Sequence, residues 1–167
     1  MGTSCLQPVQ AMRPIDRLFD EYGASHRNHT NKLIHYLCVP LIFWSVVALV
    51  ASIPANLLTA RFGDTIYTNW AALALVPVVL YYLWLSRPLA LGMLVFAVIC
   101  LAAASQIAAV AELWKVALTV FIICWILQFW GHKIEGKKPS FLKDLQFLLI
   151  GPAWILSSLY KKAGIRW

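Results

Sequence analysis

The chain has 167 residues, 61% of them apolar and 13% charged, with a formal net charge of +7 and a mean hydropathy of +0.73. Soluble domains use about 45–50% apolar residues; here the excess comes in long runs rather than in helical or strand alternation, which excludes a soluble core as the place for it. In so apolar a chain the positive charge bears first on membrane topology, and no nucleic-acid partner is needed to account for it.

In chain order, residues 1–30 hold no apolar run of the kind that makes a secretory signal and carry Asp16, Asp20 and Glu21, so the N-terminus is expected in the cytoplasm, with residues 1–12 flexible. Four runs then approach the roughly 20 residues that a helix rising about 1.5 Å per residue needs to cross about 30 Å of hydrocarbon. They are 36–53, 69–85, 88–111 and 114–130, with Trp70, Trp84, Trp114 and Trp130 suited to the interfaces. The connection 54–68 reads as an ordinary loop. A fifth apolar stretch, 141–160, carries Lys143 and Asp144 at its start and Gly151-Pro152 in its middle, which predicts an interfacial or re-entrant helix, with a fifth span as the alternative. The expected architecture is all-α: a polytopic membrane helical bundle with four transmembrane helices plus this C-terminal segment, forming one integral membrane domain over 1–167. Spans one and two, and spans three and four, are candidates for helical hairpins. Cys5, Cys38, Cys100 and Cys124 show no CxxC spacing and read as small core residues.

All of the 14 Lys and Arg except Arg61 and Lys115 fall before span one, between spans two and three, or after span four. That asymmetry predicts both termini in the cytoplasm. The same charges would attract anionic headgroups of membrane lipid, by about 1 kcal/mol each near the surface; orientation during insertion accounts for most of them without specific lipid recognition.

The four histidines gather in two segments, His26, His29 and His35 before or at the start of span one and His132 after span four, and the topology puts both segments on one membrane face. Histidine is the commonest metal ligand. Each imidazole alone reads more readily as an amphipathic interfacial residue, but four on one face argue for a shared metal site. His26 and His29 share a helical face, whereas His26 and His35 lie on opposite sides of an uninterrupted helix. A break near Asn28, Thr30 and Asn31, all competitors for backbone hydrogen bonds, would let His26 fold back toward His35. Gln128, His132 and Glu135 form one polar stripe on span four, and polar groups at that depth face the bundle interior. Glu135 has two readings, a ligand or a group that orients an imidazole; Gln128 has two as well, a site residue or a hydrogen bond to a neighbouring helix.

At these residues the chain resembles the 2-hydroxy fatty acid dioxygenases that take part in breaking down phytosphingosine to odd-numbered fatty acids. One motif, Y-x3-H-x4-N-x3-H-x4-P, is met by Tyr22, His26, Asn31, His35 and Pro40; the other, Q-x2-G-H-x2-E-x3-P, by Gln128, Gly131, His132, Glu135 and Pro139. The resemblance runs from about residue 13 over nearly the whole chain. It implies an Fe(II)-dependent enzyme that uses O2 to shorten a 2-hydroxy fatty acid by one carbon, with iron on His26, His35 and His132 and with Tyr22, Asn31, Gln128 and Glu135 serving the reaction. His29 falls where the pattern is less strict. Arg27 and Lys133 are candidates, from position, for pairing with the substrate carboxylate. The membrane would be a bacterial inner membrane or the endoplasmic reticulum.

Other classes compete. A zinc hydrolase would use the same histidines with a catalytic water, although HExxH is absent. Haem would call for axial histidines within the spans, and di-iron hydroxylases as a class carry about twice as many histidines. A non-enzymatic membrane adaptor would hold no metal.

Overall fold

A computed structural model describes residues 12–24, 26–136 and 141–167, the side chains of 141–146 excepted. The N-terminal stretch expected to be flexible, Cys5 and Pro139 lie outside these residues. The described residues are helical throughout, without strands: α1 (Pro14–Gly23), α2 (His29–Ala51), α3 (Asn56–Phe62), α4 (Trp70–Leu85), α5 (Arg87–Ala108), α6 (Leu113–Glu135) and α7 (Phe141–Lys162).

Three of these helices, α2, α5 and α6, are long and apolar enough to cross a membrane. The fourth expected span, α4, is equally apolar but has only 16 residues, about 24 Å of rise against about 30 Å of hydrocarbon. Apolar side chains stand on the outer surface of two of these helices: Leu33, Leu37 and Leu41 on α2, and Leu118, Ile122 and Ile126 on α6, are exposed at helical spacing. The 54–68 connection, expected as loop, contains the short helix α3, which buries no residue and leaves Leu57 and Phe62 exposed.

The expected hairpin pairing changes. The most extensive contact joins α2 to α6, and the next α4 to α5, while α5 and α6 touch little although they are consecutive. Helices α4 and α5 are separated by Ser86 alone, which forces an antiparallel return. Small side chains on α5, Ala90, Ala97 and Ala104, are all buried.

Short α1 is amphipathic, with Ile15, Phe19 and Tyr22 buried at spacings of four and three. They pack with α7, whose C-terminal half also reaches α5 through the Tyr160 hydroxyl, which donates to the Pro88 carbonyl at 3.0 Å. The Tyr82 hydroxyl of α4 donates to the Leu149 carbonyl of α7. Cys38, Cys100 and Cys124 are buried free thiols, in keeping with a packing role.

Candidate metal centre

The chain turns between α1 and α2, and that turn builds the site. Asn28 is the N-cap of α2; its side-chain oxygen accepts from the Thr30 and Asn31 backbone N–H groups at 2.9 and 3.3 Å. The helical break anticipated around Asn28 is therefore present. It frees His26 from the α2 spiral and brings its ring to 4.2 Å from that of His35, centroid to centroid.

From α6, His132 completes the group, 5.0 Å from His35 and 5.7 Å from His26. All three are 3–5% exposed, and their donor atoms lie within 4.8 Å of one another. The orientation of two rings is fixed by their own helices. His26 Nδ1 lies 2.6 Å from the Tyr22 carbonyl and His35 Nδ1 lies 2.9 Å from the Asn31 carbonyl. A carbonyl only accepts, so each Nδ1 carries the proton and each Nε2 keeps its lone pair. His26 Nε2 is buried without a hydrogen-bond partner, a costly arrangement unless something else binds it. Burial pushes the His26 imidazole below its ordinary range against the opposing pull of the Tyr22 carbonyl, which favours the neutral form a metal needs.

Two residues of the second motif hold the helices in register. A Cβ on Gly131 would collide with the Asn31 side-chain oxygen, so glycine is required for α6 to come this close to α2. The Glu135 carboxylate accepts from the Arg27 and Asn28 backbone N–H groups, both at 2.9 Å, and from the Asn31 amide at 3.1 Å. These bonds go to the turn carrying His26 and to Asn31, and Glu135 is not among the three clustered histidine donors. Gly136, at φ 73°, then ends α6 in the left-handed conformation.

The other expected residues fall as follows. Gln128 is buried and lines a cavity of about 20 Å³ beside His26 and His35, room for one water-sized group. Tyr22 stacks on His26 at 4.2 Å with the planes 19° apart. Asn31 is fully buried between the two helices. His29, the first residue of α2, is exposed and not brought to the cluster, because the N-cap turn directs it away. Arg27 and Lys133 are exposed beside the site.

Sequence reasoning missed the part played by α7. Trp154 lies 5.3 Å from Tyr22 and 6.0 Å from His26, and it stacks on Tyr36 at 5.7 Å; Phe147 meets Tyr22 edge-on at 5.3 Å. Gly151 makes this wall possible, since a Cβ there would press on Val39 and the Tyr22 hydroxyl. The glycine that interrupts the hydropathy of 141–160 was the available clue. Lys32 was also passed over, although its charge reaches His26.

Three buried imidazoles whose donor atoms converge could hold a metal ion, and the donor set suits divalent iron, zinc or copper. Comparison with curated proteins and with solved structures gives no match. A family model described as 2-hydroxy-palmitic acid dioxygenase Mpo1-like matches residues 12–163, so the chain belongs to the Mpo1-like family.

Proposed function

We propose that this protein is an Fe(II)-dependent membrane dioxygenase that shortens 2-hydroxy fatty acids by one carbon. The observation that carries the reading is the buried group His26, His35 and His132, with His26 Nε2 unpartnered, in a chain of the Mpo1-like family. Three protein donors leave coordination positions open, the pattern of non-haem iron oxygenases. Iron bound there would activate O2 and offer adjacent positions to the carboxylate and hydroxyl of the substrate.

The C1–C2 bond breaks; the two carbons together lose four electrons to O2, giving the shorter acid, carbon dioxide and water. No second organic cosubstrate is needed. The protein's own groups do the positioning. Tyr22 and Asn31 supply the carbonyls that hold His26 and His35 in the reactive tautomer. Glu135 fixes the turn that carries His26. Gln128 presents the one buried amide beside the small cavity and is assigned to orient the substrate hydroxyl. Arg27, Lys133 and Lys32 offer positive charge to the carboxylate at the membrane face.

The reading includes topology. Helix α4 is assigned as a fourth, short span, with both termini cytoplasmic, because the basic residues gather at the ends that this arrangement puts on one side. The zinc-hydrolase alternative loses support from Glu135, whose carboxylate is engaged by three N–H donors rather than facing a metal-bound water.

The test is metal analysis of anaerobically purified protein together with turnover of 2-hydroxypalmitate to the fifteen-carbon acid. Turnover that requires added Fe(II) is expected. Turnover that proceeds without iron, or no turnover by iron-loaded protein, would overturn the proposal.

A further inference from the structure

The histidine cavity is far too small for a long acyl chain, and its floor is apolar. Below the imidazoles it is lined by Val39, Ile42, Trp125, Phe147 and Leu148. A second cavity, of about 110 Å³, lies between α2 and α4 and is lined by apolar side chains, among them Phe43, Val47, Val50, Leu75 and Val78. Leu148 of α7 lines both. The two spaces therefore share Leu148 as part of their walls.

Their order along α2 is set by the sequence. Ile42 stands two turns beyond His35, about 10 Å of helical rise, and Val50 about 22 Å beyond it. One leaflet, and so one lipid acyl chain, fills about half of the roughly 30 Å hydrocarbon thickness, ~15 Å. A long chain anchored at the histidines thus reaches past Leu148 into the second cavity, whereas an eight-carbon chain, half as long, stops short of that cavity.

We propose that the substrate's acyl chain runs from the histidine cavity past Leu148 into the α2–α4 cavity, making Leu148 the residue that sets chain-length preference. This rests on the dioxygenase reading above and adds the path of the tail. The occupant is the tail of the bound hydroxy acid rather than bulk lipid, because the cavity continues from the cluster and follows one helix away from it.

Two measurements test it. The first compares kcat/KM for 2-hydroxyhexadecanoate and 2-hydroxyoctanoate in Leu148→Trp and the unaltered protein. The long-to-short ratio is expected to fall at least tenfold; an unchanged ratio overturns the path. The second needs no turnover: 2-hydroxyhexadecanoate carrying a diazirine near its methyl end is photolysed with the purified full-length protein. Labelling of residues 43–50 or 71–78 that excess 2-hydroxyhexadecanoate competes away supports the path even if oxidation is never seen. Labelling that phospholipid displaces equally well assigns the cavity to lipid and overturns it. If neither acid is oxidised by iron-loaded protein yet the labelling is competed, the dioxygenase reading fails and the binding path stands.

Discussion

Helices α2 and α6 pack antiparallel, and so do α4 and α5, but the two pairs are held by different means. Between α4 and α5 the chain reverses at a single residue, so proximity is enforced covalently. Helices α2 and α6 are separated in the chain by α3, α4 and α5 and must find each other across the fold. Their contact is built on Gly131 against Asn31, and on Glu135 gathering three N–H donors from the opposite turn. The pair that the chain does not enforce is the pair that carries the polar chemistry. Buried polar groups in a bundle are costly when unsatisfied, and here they give the α2–α6 register a specificity that apolar packing alone would not.

The comparison breaks most sharply at the histidines. Replacing His26, His35 or His132 by Ala removes one of three donors, and a loss of iron with at least a hundredfold drop in turnover is expected for each; metal analysis and product formation measure it. A smaller effect is expected from Glu135→Gln, which sets an amide N–H2 against an N–H donor of the α2 turn. Roughly tenfold to a hundredfold weaker metal binding should follow, as for other residues that support metal ligands, read by titration with Fe(II) under anaerobic conditions. Gly131→Ala drives a Cβ into Asn31 and should lower stability by about 1–3 kcal/mol, seen as earlier thermal unfolding in detergent. On the α4 side, Tyr82→Phe deletes only the bond to the Leu149 carbonyl, and a loss of about 0.6 kcal/mol is expected from hydrogen bonds of this kind in membrane bundles, with metal binding unchanged. If Tyr82→Phe proves as damaging to metal binding as Glu135→Gln, the division between the two pairs is wrong.

Much of this arrangement is legible in the amino-acid sequence because hydrocarbon imposes so few choices. Long apolar runs name the helices, and only the chain between His26 and His35 needed a break, which Asn28 announces as a helix cap. Less legible was anything set by non-local contact. The hairpin pairing was misjudged because adjacency in sequence says nothing about the Gly131 approach that joins α6 to α2. His29 was grouped with the other histidines by spacing, yet spacing along a chain does not reveal that a cap turns the first helical residue outward. The role of α7 stayed hidden because Lys143, Asp144 and Gly151-Pro152 blur its hydropathy, although Gly151 is what lets Trp154 and Phe147 close over Tyr22 and His26. The short α4 shows the converse: its composition is that of a span, and only its length departs from one.

The central claim is that His26, His35 and His132, and not His29, hold one iron. Iron content of the anaerobically purified single variants His26→Ala, His35→Ala, His132→Ala and His29→Ala tests it most directly. One iron per chain in the unaltered protein and in His29→Ala, with little or none in the other three, is the expected result; iron retained when any of those three is replaced, or lost with His29, would contradict it.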